Sequence, residues 1–237
     1  MKRIADKTGR FAYRPYYENG ELDDICESII TSYVTDHSGE LILPIPTDRL
    51  ITLIERDAAE LDTYADLSVE GPDVQGLTLF KPGEKPVVSI DASLSSGGRE
   101  YRFRTTLAHE YGHVAFHDSP FQEKVATGHL FANPNTDTAK CKRDNIVGAK
   151  QTDWIEWQAG YVCGALLMPK THVILSGNKF CDRYRCHGKI VAGTGWVDQL
   201  AEYVSSGFQV LQDAARIRIV QVGLVQPNSA NLSLKNN

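Results

Sequence analysis

The chain has 237 residues, 42% of them hydrophobic and 23% charged, a balance that excludes a disordered or fibrous protein and allows one large domain or one with an appendage. Its 25 Lys and Arg against 30 Asp and Glu leave a formal net charge of -5, which argues against a dedicated nucleic-acid binder. No run approaches the roughly 20 apolar residues of a membrane helix, the basic N-terminus lacks the apolar stretch of a secretory signal, and the 5 scattered cysteines do not read as a disulfide framework. The expected compartment is the cytoplasm.

Along the chain, Leu22, Ile25, Ile29, Ile30 and Tyr33 recur at helical spacing, predicting a helix over 21–36. Pro44 and Pro46 interrupt, and Thr47-Asp48 start a second helix with Leu50, Leu53 and Ile54 inward. Residues 74–80 and 86–90 flank the turn KPGEK and predict a hairpin. After Gly97-Gly98 a helix is expected over 99–117. The polar segment 118–152 is long for a structureless loop, so part of it is expected to be ordered or functional. Residues 153–168 read as a helix stopped by Pro169, and two short helices are expected at 195–205 and 209–222.

Residues 109–113 read His-Glu-Tyr-Gly-His, an instance of H-E-x-x-H. Residues four apart stack on one helix face, so His109 and His113 can reach one zinc ion at about 2.0–2.1 Å. Glu110 then lies beside the metal, placed to take a proton from an activated water. With 7 histidines and 13 glutamates in the chain, chance supplies about 0.01 such patterns, so coincidence is a poor explanation.

A catalytic zinc needs a third protein ligand. His117 lies about 12 Å along the axis from His109, too far to share the ion. Asp153 and Glu156 both open the next helix. Asp153 suits the N-cap, whereas Glu156 shares its face with Ala159, Gly160, Cys163 and Gly164, small residues that let two helices approach closely. Glu156 is therefore the expected ligand. Tyr111, Tyr161, His129 and His172 are candidates for stabilising an oxyanion. Cys181-x4-Cys186-His187, with Cys141 or Cys163, could hold a second, structural zinc, but the spacing is looser than the usual zinc patterns, so the cysteines are read as buried or solvated free thiols. Trp154 and Trp157 are read as core or seam packing residues, with lining of a cleft as the alternative for either. Residues 199–219 could form a helix-turn-helix, but Arg216 and Arg218 are accompanied by Asp213, which favours packing on the rest of the chain.

The stretch RTTLAHEYGH (104–113) with DWIEWQAGYVCGALLMP (153–169) resembles the ImmA/IrrE family of metallopeptidases. Arg104, Thr106, Ala108, Glu156, Ala159 and the run Leu166-Leu167-Met168-Pro169 match its pattern, and the likeness extends over residues 45–225. Thr105 stands where the family usually has Phe, Gly160 where it has Asn, and the gap between the two motifs is longer than usual. The resemblance implies an α+β, minimal zincin-like metallopeptidase, with a small sheet, a helix carrying H-E-x-x-H, a helix carrying the glutamate ligand, and C-terminal helices. Residues 1–178 would form the peptidase domain and 179–237 a helical region packed on it. The expected cofactor is one Zn2+, with Mn2+ as the alternative. The expected activity is endopeptidase cleavage of a protein, namely an adjacently encoded helix-turn-helix repressor, with no membrane and no direct nucleic-acid partner. The alternative is a toxin-like or non-catalytic partner in a toxin–antitoxin pair.

Overall fold

The computed structural model describes residues 1–95, 97–126, 137–142, 153–186 and 188–228, and they form a mixed α+β fold. Strands β1 (Lys2–Ala5) and β2 (Tyr13–Tyr16) make an antiparallel hairpin. Helix α1 (Asn19–Ser38) begins where the Glu21 carboxylate accepts the Glu18 backbone N–H at 2.9 Å, and ends at Gly39, whose φ of 78° closes the C-cap. Helix α2 (Thr47–Asp57) buries Leu50, Leu53 and Ile54 on one face, as their spacing predicts.

The main sheet has the order β3–β5–β4–β6, built from β3 (Glu60–Ala65), β4 (Val74–Phe80), β5 (Val87–Asp91) and β6 (Asp137–Lys142). β4 and β5 form the expected antiparallel hairpin, β3 joins β5 in parallel, and β6 joins the free edge of β4. Strand β4 alternates strictly, with Val74, Gly76, Thr78 and Phe80 on its inner face. That face meets α3 (Glu100–Ala126).

Helix α3 is longer than its sequence suggests. It runs through Pro120, where the missing N–H and the ring ordinarily break a helix at a cost of about 3 kcal/mol. Aromatic packing flanks Pro120 on both sides. Phe121 stacks on Phe80 at 3.8 Å and meets the edge of Phe11 at 5.0 Å, while Phe116 packs on Tyr17 at 5.5 Å. The segment 118–152 is thus partly regular: its first residues extend α3, and 137–142 form β6.

Helix α4 (Trp154–Leu167) is buried along nearly its whole length between α1, α3 and α7 (Gln212–Gln221). It runs antiparallel to α3. Gly112 sits against Ala159, where a β-carbon would come within 3.1 Å of the Ala159 Cα, and the Cys163 thiol donates to the Thr105 carbonyl at 3.3 Å. Ala159 and Cys163 therefore form the close seam that their size implies. Gly164 instead faces Arg218 and Gln221 of α7, so it serves a second seam.

Beyond Pro169, α5 (Lys170–Tyr184), the short parallel pair β7 (Ile190–Val191) and β8 (Val225–Gln226), and α6 (Gly195–Phe208) complete the described chain. Arg218 of α7 is wholly buried. It donates to the Met168 carbonyl at 3.0 Å and pairs with Asp23 of α1 at 2.7 Å. Arg216 pairs with Asp198 of α6. Both arginines of the would-be recognition helix are thus engaged within the chain. No helix among the described residues is long and apolar enough to cross a membrane.

Candidate metal centre

The seam between α3 and α4 brings His109, His113 and Glu156 together, and all three are buried. His109 Nε2 lies 3.2 Å from His113 Nε2 and 3.2 Å from a Glu156 carboxylate oxygen, and His113 Nε2 lies 3.6 Å from the other oxygen. Tetrahedral ligands bound at about 2.0–2.1 Å stand about 3.3 Å apart, so the donors fit one small divalent ion. The donor chemistry agrees. Burial, followed by the neighbouring His109 and His117 rings, holds the His113 pKa well below its ordinary value, and a metal ligand must be neutral imidazole. Among the described residues this is the one such cluster of histidine, cysteine and carboxylate donors.

Local sequence explains the convergence. Spacing of four puts His109 and His113 on one face of α3, and the small residues Gly112 and Ala159 let α4 come close enough for the Glu156 side chain to span the gap. Asp153 takes the N-cap position of α4 and is not in the donor cluster. Its pKa is raised, first by burial and then by the Glu156 carboxylate.

Glu110 points at the sheet wall. Its Oε2 accepts the Thr78 hydroxyl at 2.5 Å, and Gly76, two residues earlier on the same face of β4, leaves room for the carboxylate. Neither residue carries an obvious motif. An interior strand glycine does mark a close approach, and the period of two places Thr78 beside it, so a signal existed in GLTLF.

His117 does not join the donors, in keeping with its distance along the helix. Its Nδ1 lies 2.9 Å from His113 Nδ1 and its Nε2 lies 2.9 Å from Gln158 Oε1 on α4. Trp154 meets its ring edge-on at 5.5 Å. Arg10, in the β1–β2 loop, sits over Phe11 and Phe121 at 5.5 and 5.1 Å, and its positive charge acts on His113, His117 and Asp153.

The Tyr111 hydroxyl donates to Asp57 at 2.9 Å, and the Tyr161 hydroxyl to Asp23 at 3.1 Å. His172 lines a groove beside α5 and α6 with Leu175, Phe180 and Tyr203. His129 lies outside the described residues, as does His187 of the cysteine motif. Cys26, Cys163, Cys181 and Cys186 are free thiols. Arg104, five residues before His109, is structural in its contacts: it donates to the Ile45 carbonyl at 2.6 Å and the Gln209 carbonyl at 3.1 Å.

Compared with known proteins, the chain matches no family model and no curated protein.

Proposed function

We propose that the chain is a zinc-dependent endopeptidase of minimal zincin-like architecture, acting on a helix-turn-helix repressor in regulatory proteolysis. The observation that carries the reading is the donor triad at tetrahedral spacing with a carboxylate, Glu110, next to it in the chain and fixed by Thr78. Two histidines and one carboxylate are the donor set of a catalytic rather than a structural zinc, because the fourth position stays open. Zinc is favoured over manganese because two imidazoles soften an otherwise oxygen-based site.

In this reading His109, His113 and Glu156 hold the ion, which when bound supplies Lewis acidity to a water and to the scissile carbonyl. Glu110 takes the proton from the attacking water and returns it to the leaving amine. Thr78 holds one carboxylate oxygen and the space left by Gly76 accommodates the other, so the side chain is held without a search of rotamers. The substrate class rests on the resemblance of 104–113 and 153–169 to the ImmA/IrrE family. Incubating the zinc-loaded protein with an adjacently encoded helix-turn-helix repressor should give one defined cleavage, read by mass spectrometry.

One observation favours the toxin-like or non-catalytic reading. His109, Glu110 and His113 are 0% exposed, so a peptide must displace a cover to reach them. Under that reading the repressor is bound and stays intact, and Glu110→Gln behaves as wild type.

A further inference from the structure

We propose that His117 and Gln158 are positioning residues that determine which nitrogen of His113 carries its proton, and so prepare that ring to bind the metal. The inference rests on the metal-centre reading above.

Three buried groups stand in series across the seam. His113 Nδ1 faces His117 Nδ1 at 2.9 Å, and His117 Nε2 faces Gln158 Oε1 at 2.9 Å. His113 and His117 are 0% exposed and Gln158 is 3% exposed, so water does not substitute for these partners. A neutral imidazole has one N–H and one lone pair. Two ring nitrogens that face each other therefore share one proton, and the chain of bonds has only two directions.

In one direction His113 donates from Nδ1. Its Nε2 lone pair is then directed at the donor cluster, and His117 accepts at Nδ1 and donates from Nε2 to the Gln158 carbonyl. In the other direction His117 donates from Nδ1, and the His113 proton sits on Nε2. That proton would point at His109 Nε2, 3.2 Å away, and block ligation. The amide carbonyl of Gln158 selects the first direction, because an acceptor facing His117 Nε2 requires a donor there.

The arrangement grows from simple spacings. His109, His113 and His117 follow one another at intervals of four along one face of α3. His117 is too far from the ion to bind it, and that distance is what frees it to serve the ligand. Gln158 lies two residues after Glu156, so α4 supplies both the carboxylate donor and the acceptor that fixes the tautomer on α3. Ligating histidines commonly donate their other nitrogen to a carboxylate or backbone carbonyl. Here an imidazole takes that place and passes the demand on to an amide.

The test uses the full chain and zinc alone. Long-range 1H–15N spectra of the full chain before zinc is added, when no bound ion imposes a tautomer, should show His113 protonated at Nδ1 and His117 at Nε2. A His117 protonated at Nδ1 overturns the proposal, and this measurement on wild type decides it even where variants fold poorly. Chelator competition should show His117→Phe and Gln158→Leu binding zinc about 10–100-fold more weakly. His117→Asn, whose amide oxygen falls near the Nδ1 position, should recover most of that loss, and Gln158→Glu should bind at least as well as wild type. A His117→Phe variant as tight as wild type, or a His117→Asn as weak as His117→Phe, contradicts the proposal. A wild type that binds no zinc overturns the metal centre itself, which separates the two failures.

Discussion

Gly76 of β4 lies so close to Glu110 of α3 that a β-carbon at residue 76 would overlap the Glu110 Oε1 and press on its Cδ at 2.9 Å. The same β-carbon would also meet Thr106 Cγ2 at 2.9 Å, so the helix side offers no relief. Gly76→Ala should therefore displace the Glu110 carboxylate while leaving His109, His113 and Glu156 in place. Cleavage should fall at least tenfold, towards the about 10²–10⁴-fold of a lost general base, with zinc content unchanged. Full activity in this variant would show that the carboxylate has room to move and still work.

Tyr111 stands next to Glu110 in sequence, yet its hydroxyl is bonded to Asp57 on α2. Tyr111→Phe should leave the cleavage rate unchanged. It should cost about 1 kcal/mol of stability, the usual net worth of one hydrogen bond, visible as a lower urea midpoint. A tenfold fall in rate at constant zinc content would return the Tyr111 hydroxyl to the oxyanion.

The buried pair Asp23–Arg218 joins α1 to α7, and Asp23 also accepts the Tyr161 hydroxyl, whose pKa is pushed up to about 12 chiefly by burial. Asp23→Ala leaves the Arg218 charge buried without its carboxylate. The expected loss is about 3–5 kcal/mol, measured by urea unfolding. A loss below about 1 kcal/mol would mean that water enters and solvates the guanidinium.

Much of this was legible in the sequence. The amphipathic spacing of Leu50, Leu53 and Ile54 predicts α2, and the KPGEK turn predicts the β4–β5 hairpin. His109, His113 and Glu156 were readable because ligand spacing and a small-residue face are local properties of two helices. Other features were not readable because they depend on contacts distant in sequence. Pro120 signals a helix end, but Phe11 and Phe80 overrule it from far along the chain. Strands β1 and β2 are 4 residues each and mostly exposed, and although burial alternates along β3, its half-buried positions Leu61, Thr63 and Ala65 include the polar Thr63. Thr78 and Gln158 acquire a role only when β4 meets α3 and α4 meets α3. Tyr111 and Tyr161 looked available because the sequence does not reveal that Asp57 and Asp23 hold them.

Acid should destabilise the metal-free protein in a defined window. Burial is the largest effect lowering the pKa of both buried histidines, taking His117 to about 3 and His113 well below its ordinary value. An unfolded histidine takes up its proton near pH 6.5. Between the two values the unfolded state binds more protons, so stability rises with pH there and is flat above. Each such histidine contributes a slope of at most about 1.4 kcal/mol per pH unit. Urea midpoints from pH 7 down to pH 4 should therefore fall more steeply for wild type than for His117→Asn. Equal slopes would mean that His117 already titrates normally in the folded protein.

The most direct measurement compares wild type with Glu110→Gln on one preparation, following zinc content, repressor binding and repressor cleavage together. Gln is nearly isosteric with Glu and can still accept the Thr78 hydroxyl, so the helix and the donor triad survive the change. Its amide takes no proton near neutral pH. Cleavage should fall by about 10²–10⁴-fold or more while one zinc stays bound and the repressor is still held. A wild type that binds zinc and repressor but never cuts, with Glu110→Gln indistinguishable from it, would contradict the peptidase reading.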